Sequence, residues 1–141
     1  MILNGCWAIP LIRSTTTARG VDFKKIESVP PSNALIYFYR ESSMAGAISS
    51  WKISVNGQKI ISLSNDEYYP YLCIPGITKV KGQIGIYSPE IEFNMEGGLT
   101  YYVRVVASAD LSGTSSVKGN FVISLVDNNI GEKEILDNKL E

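Results

Sequence analysis

The residues that could carry out catalysis are few, because the 141-residue chain contains no histidine. Histidine is the most frequent general base and metal ligand of proteins, so the usual pairs of histidine with a serine or cysteine nucleophile are excluded. Cys73 lies in an apolar run between Leu72 and Ile74, where a thiol is usually an inert small hydrophobe. We therefore predict that the protein is not an enzyme.

The carboxylates are the remaining candidates for acid–base chemistry or metal binding. Glu90 and Glu92 would share one face of a strand, and Asp66 and Glu67 are adjacent, but glycosidase chemistry needs two carboxyls that converge on a cleft. Residues 127–129 offer oxygen ligands without the spacing of a calcium-binding loop. We predict that these charges are solvated and that the protein holds no metal and no cofactor.

The composition indicates one globular domain. Hydrophobic residues make up 45% and charged residues 19% of the chain, which is unlike a disordered or membrane-spanning sequence. The formal net charge is -1, so the chain lacks the basic surplus that attracts phosphate backbones. We expect no nucleic-acid partner.

The N-terminus carries a short motif, Leu3-x-Gly5-Cys6, that resembles the lipobox of bacterial lipoproteins. The resemblance implies cleavage before Cys6 and acylation of its thiol. A signal peptide also needs a basic region and about 7 to 15 apolar residues, so we interpret residues 1–6 as the remnant of a lipoprotein signal peptide. In one alternative the motif is accidental and the protein is cytoplasmic. In another, Cys6 is a plain thiol or forms a disulfide with Cys73, and lipidation of Cys6 would forbid that disulfide.

Residues 7–32 are interpreted as a tether, because prolines, glycine and a serine–threonine run interrupt scattered apolar residues. The alternative is that residues 21–29 pack on the domain as an edge strand or short helix. By resemblance to lipoprotein sorting, Trp7 after the acylated cysteine favours the outer membrane, with the domain facing the periplasm.

Residues 33–141 are predicted to form an all-β domain, an antiparallel two-sheet β-sandwich of about eight strands with a short C-terminal helix. Residues 34–39 are apolar throughout, which predicts a central strand covered on both faces. The Asn56-Gly57 pair predicts a hairpin with Val55 opposite Gln58 and Ile53 opposite Ile60. Residues 108–120 are predicted to be a polar loop.

Three features are candidates for contact with a ligand or partner. Tyr68, Tyr69 and Tyr71 are the densest aromatic stretch and could form a platform for sugar or peptide, although tyrosines in strands often pack across the sheet instead. Arg40, like Arg104, is either an outward charge, a structural ion pair or an anion clamp. Residues 41–50, which include Ser42 and Ser43, form either a recognition loop or a crossover between sheets.

Six short segments of the chain, taken in sequence order, resemble the bacterial domain-of-unknown-function 2846 family, many of whose members look like lipoproteins. The family often has a histidine shortly after its proline–glycine turn, where this chain has Thr78, so no role of that histidine carries over. The resemblance covers residues 33–140 and implies no established activity. The matching segments are Tyr37-Phe38-Tyr39-Arg40, Ser42-Ser43, Ala45-Gly46, Val55-Asn56-Gly57, Ile74-Pro75-Gly76 and Gly98-Leu99-Thr100-Tyr101-Tyr102-Val103-Arg104.

These observations predict a non-catalytic bacterial envelope lipoprotein module with an interaction or structural role, as an accessory subunit of an envelope assembly. Its partners would be the membrane, through a lipid anchor at Cys6, and an envelope protein. The alternative is a glycan- or peptide-binding β-sandwich module.

Overall fold

The structure is a computed structural model that describes residues 7–8, 25–26, 28–40, 50–64, 66–107, 114–136 and 139–140. Within these ranges the chain forms nine strands of five or more residues, two strands of two residues and one helix. Their bounds are β1 (Trp7–Ala8), β2 (Ala34–Arg40), β3 (Trp51–Val55), β4 (Gln58–Leu63), β5 (Glu67–Cys73), β6 (Gly76–Gln83), β7 (Glu90–Met95), β8 (Thr100–Ala107), β9 (Thr114–Lys118), β10 (Phe121–Val126), α1 (Asn128–Ile135) and β11 (Lys139–Leu140).

The strands form two sheets that pack face to face, which confirms the predicted β-sandwich with a C-terminal helix. The larger sheet has the order β1-β5-β2-β8-β10-β9, with β11 also on β5, and the smaller sheet has the order β4-β3-β6-β7. One long pair departs from the predicted antiparallel pattern, because β2 and β8 are parallel. Parallel neighbours need a long crossover, and here the crossover contains the whole smaller sheet. No helix in the described ranges has the length and apolar content needed to cross a bilayer.

Strand β2 lies in the middle of the larger sheet, and all seven of its residues are buried. Ala34, Ile36 and Phe38 face the smaller sheet in the main core. Leu35, Tyr37 and Tyr39 belong to a second core on the opposite face, which Ile135 of α1 helps to form. The prediction that this strand is covered on both faces is confirmed, since the sheet has a helix on one side and a sheet on the other.

The β3–β4 hairpin has the predicted turn but not the whole predicted register. Asn56 and Gly57 have φ values of 49° and 86°, as a type I′ turn requires, and Val55 pairs with Gln58. Ile53 pairs with Ile61 rather than Ile60, because a β-bulge shifts the register between Ile53 and Ser54. The bulge inserts one extra residue into β4. Pairing residues one by one outward from the turn does not predict this insertion.

The predicted polar loop at residues 108–120 contains a strand, so that prediction is wrong in part. Strand β9 pairs with β10 at the edge of the larger sheet. Its polar residues make hydrogen bonds rather than apolar contacts: Ser115 Oγ lies 2.7 Å from Ser124 Oγ, and Ser116 Oγ accepts from the Glu90 amide at 3.2 Å. An edge strand held in this way lacks the apolar alternation that identifies strands in a sequence.

Two described parts of the predicted tether contact the domain. Strand β1 pairs with β5, and near the other end Ile26 and Val29 pack against the second core. The Ile26 amide donates to Tyr37 Oη at 2.8 Å, and Lys25 pairs with Glu132 at 2.7 Å. These contacts concern only the described residues of the segment, so both the tether and the alternative packing of residues 21–29 stay predictions.

Candidate functional site

The three tyrosines predicted as a binding platform are buried. Tyr68 belongs to the second core, whereas Tyr69 and Tyr71 point the opposite way into the main core. Burial raises the pKa of Tyr71, and the neighbouring Tyr69 raises it further. The three rings pack in the two cores on either face of β5. Ligand contact by them stays a prediction, and it would require one of these cores to open.

Arg40 is a buried structural cation at the end of β2. Its Nη1 donates to the Leu63 carbonyl oxygen at 3.1 Å, which ties β2 to the smaller sheet. Burial lowers the pKa of Arg40, while the nearby Glu67 carboxylate opposes that shift. Glu67 in turn accepts from the Ser64 amide at 2.7 Å. Ser42 and Ser43, predicted to act beside Arg40, lie outside the described residues.

Arg104 forms an ion pair with a residue that the sequence did not suggest, Glu134 of α1. Arg104 Nη1 lies 3.0 and 3.1 Å from the two Glu134 carboxylate oxygens, and Tyr39 Oη donates to Glu134 Oε1 at 2.6 Å. The Arg104 side chain is 4% exposed and the Glu134 side chain 23%. We call Tyr39, Arg104 and Glu134 the helix clasp, because their contacts fix α1 to β2 and β8. No motif marked Glu134, which is one of several charges in a short tail.

Tyr102 lies directly under α1 on the second core. A Cβ atom at Gly131 would come within 2.4 Å of the Tyr102 ring, so only glycine lets the helix approach this closely. The ring stacks on Tyr37 with centroids 5.3 Å apart, and Oη has no hydrogen-bond partner among the described residues. Burial raises the pKa of Tyr102 well above its ordinary value, and the charge of Glu132 raises it further.

Replacing Tyr102 with phenylalanine should raise the free energy of unfolding by about 1 kcal/mol, because the buried hydroxyl loses its hydration without gaining a protein partner. The wild type should also lose stability as the pH rises above about 10, where tyrosine ionises in the unfolded chain while Tyr102 stays protonated in the fold. Tyr102→Phe should lessen that loss. Urea denaturation at neutral and alkaline pH measures both effects.

Tyr39→Phe is the matched control, since it removes a hydroxyl that donates to Glu134. It should lower the free energy of unfolding by about 1 to 2 kcal/mol, because a hydrogen bond to a charged group is lost. Equal effects of the two substitutions would contradict the assignment of an unpartnered hydroxyl to Tyr102.

Two of the carboxylates considered for catalysis, Glu90 and Glu92, do not converge on a cleft. Glu90 and Glu92 are exposed on the outer face of the smaller sheet, where they stand opposite Lys81 and Lys79 across the β6–β7 pair. Opposite charges facing each other across strands stabilise a sheet. Among the residues that the structure describes, no three histidine, cysteine, aspartate or glutamate side chains cluster as a metal site would need.

One end of the sandwich exposes three large aliphatic side chains. Ile74, Ile77 and Leu99 are 50%, 65% and 48% exposed. Pro31 and Pro75 approach each other there at Gly97, where an added Cβ would lie 2.0 Å from the Pro31 carbonyl oxygen and 3.5 Å from the Pro75 ring. We call Ile74, Ile77 and Leu99 the apolar end. It is the candidate contact surface that the sequence analysis missed, because the type of an apolar residue does not reveal its exposure.

A separate shallow cleft of about 480 Å³ opens beside the start of α1. It does not include the tyrosines proposed as a platform. The residues that line it are Tyr101, Thr114, Leu125, Val126, Asp127 and Asn128.

Cys73 is the last residue of β5 and lies next to the apolar end. The Cys73 carbonyl oxygen accepts from Asn33 Nδ2 at 3.5 Å, and the Asn33 carbonyl oxygen accepts from the Gly98 amide at 2.7 Å. The Cys73 side chain is fully buried, and its sulfur is disulfide-bonded. Cys6, the predicted site of lipidation, lies outside the described residues.

Residues 30–120 match the model of a protein family that is described as a protein of unknown function (DUF2846). The matched segment is well over half of the chain and runs from the turn before β2 to the turn after β9. No curated protein and no solved structure matches the chain. The chain therefore belongs to the DUF2846 family.

Proposed function

We propose that the domain is a non-catalytic module with an interaction or structural role in the bacterial envelope, where it serves as an accessory subunit of a larger assembly. The apolar end is the observation that carries the interaction role. Large aliphatic side chains exposed at one end of a domain are typical of a contact with another protein. The partner would present an apolar patch of its own.

The use of the buried charges supports a role without catalysis. Arg40 binds a backbone carbonyl, and Arg104 is held by Glu134. Both guanidinium groups thus serve to join elements of the fold, and the paired carboxylates Glu90 and Glu92 face lysines in solvent. A catalytic group needs a neighbour that activates it and an open site for the substrate, whereas the contacts of these residues join elements of the fold.

The disulfide at Cys73 supports a location outside the cytoplasm, because disulfides persist in oxidising compartments and are rare in the cytosol. For a bacterial protein that compartment is the envelope. The lipobox-like motif at Cys6 supports the same location independently, because it predicts a lipid anchor in the outer membrane. Acylation of Cys6 and its use in a disulfide exclude each other, so the anchor stays a prediction for mass spectrometry to test.

Photo-cross-linking in living cells tests the proposed contact. A photoreactive amino acid at position 77 or 99 should cross-link one defined envelope protein, because both side chains point outward at the apolar end. Ile77→Lys should abolish this cross-link from position 99. With the purified partner, Ile77→Lys should weaken binding by about tenfold or more, as removal of a central aliphatic contact does in other interfaces.

Ile86 provides the matched control. It is 88% exposed at the hairpin tip that follows β6, at the opposite end of that strand from Ile77. Ile86→Lys should leave cross-linking and affinity unchanged. Loss of binding in both variants, cross-links only to a second copy of the chain, or cross-links only to lipid would each contradict a protein partner at the apolar end.

A further inference from the structure

The disulfide at Cys73 has one candidate partner within the chain. The sequence contains two cysteines, and Cys73 is disulfide-bonded. Within a single chain, the other sulfur is therefore that of Cys6. Neither the family match nor the fold assigns a function or a modification to either residue.

The register of β1 with β5, continued by one residue, would bring the two cysteine positions opposite each other. Trp7 pairs with Leu72 and Ala8 with Tyr71 in an antiparallel register. Counting one residue back from Trp7 and one residue forward from Leu72 gives positions 6 and 73. Directly opposed residues of antiparallel strands have Cα atoms about 4.5 to 5.5 Å apart and side chains on the same face. A disulfide needs Cα atoms about 4.4 to 6.8 Å apart, so this register suits one.

We propose that Cys6 and Cys73 form a disulfide that fastens the N-terminal strand to the edge of the larger sheet. This inference rests on the proposed envelope location, where an oxidant is present. Two thiols lose two protons and two electrons as the S–S bond forms. The acceptor is the disulfide of an envelope thiol–disulfide oxidoreductase, which is reduced to its dithiol form.

The disulfide changes what the N-terminus can do. Lipoprotein acylation attaches a diacylglycerol group to the same Cys6 sulfur, so a molecule with this disulfide has no lipid at Cys6. Its attachment to the envelope then depends on the contacts of the domain rather than on an acyl chain.

The proposed bond also closes an exposed edge of the sheet. The outer edge of β5 is covered by β1 at residues 71–72 and by β11 at residues 67–68. Pro70 lies between the two covered stretches and has no N–H group to leave unpaired. Holding β1 in place keeps the backbone groups of β5 at residues 71–72 from pairing with another chain.

Peptide mapping of the native protein tests the proposal. The full chain is expressed from its own locus, recovered separately from membrane and soluble envelope fractions, alkylated without reduction and digested with trypsin. The tryptic peptide that contains Cys6 and ends at Arg13 should appear linked to the peptide of residues 60–79. Both cysteines should become alkylated only after reduction, and Cys6→Ala should leave Cys73 as a thiol that reacts once the protein is denatured.

The other outcomes separate this inference from the proposed function. A diacylglycerol group on Cys6 overturns the disulfide and leaves the envelope role standing. A link between residue-73 peptides of two chains overturns the intrachain bond. Free thiols in a protein recovered only from the cytoplasm overturn both proposals.

Discussion

Replacing Cys6 with alanine should lower the free energy of unfolding by about 4 kcal/mol. Positions 6 and 73 are 67 residues apart, and closing a loop of that length restricts the unfolded chain by about this amount. A domain of ordinary stability has about 5 to 15 kcal/mol in total, so the variant should unfold at a much lower urea concentration. Urea denaturation at neutral pH, followed by tryptophan fluorescence, measures the difference.

Cys6→Ala is the informative variant because it leaves the buried Cys73 side chain in the core. Reduction of the wild type should reproduce the loss, and the same reductant should have no effect on Cys6→Ala. Cys73→Ala should cost more than Cys6→Ala, since it also removes a sulfur packed among the residues of the main core. A wild type whose unfolding is insensitive to reductant would contradict a stabilising disulfide.

The fold was predictable where the sequence pattern is strong. Residues 34–39 of β2 are all apolar, so this strand has to be covered on both faces, and its seven residues are buried. The Asn56-Gly57 pair meets the need of a type I′ turn for two positive φ values. Each of these features depends on a few adjacent residues, so the sequence alone contains the information.

Features that depend on distant contacts were not predictable. Strand β9 is held by serine hydroxyls that bond to Ser124 and to the Glu90 amide, and neither partner can be identified from the sequence around β9. The bulge in β4 and the parallel pairing of β2 with β8 likewise depend on how the two sheets are assembled. The second core needed Gly131, whose missing side chain admits the Tyr102 ring.

The candidate site was harder to predict because residue type does not determine exposure. Tyr68, Tyr69 and Tyr71 suit a binding platform and a packed core equally well, and the structure places them in cores. Ile74 and Ile77 read as ordinary strand residues, yet they are exposed. Which face of a strand is covered follows from the neighbouring layers, and these become known only with the complete fold.

The largest expected effect at the helix clasp is that of Glu134→Ala, which should lower the free energy of unfolding by about 3 kcal/mol. Removing one partner of a buried ion pair has a typical cost of about 3 to 5 kcal/mol, because the remaining charge stays buried without that partner. The lower end applies because Glu134 is partly exposed, whereas Arg104 is nearly fully buried. Tyr39 also loses its acceptor. Urea denaturation measures the loss, and helical circular dichroism shows whether α1 detaches.

Glu132→Ala is the matched control, because it makes the same change two residues earlier in the same helix. Glu132 pairs with Lys25 on the surface, where an exposed ion pair contributes about 0.5 kcal/mol. Its removal should therefore have a small effect that high salt diminishes further, whereas the effect of Glu134→Ala should persist in salt. Similar losses in the two variants would mean that Glu134 acts only through surface charge, and that apolar packing around Ile135 and Tyr102 holds the helix by itself.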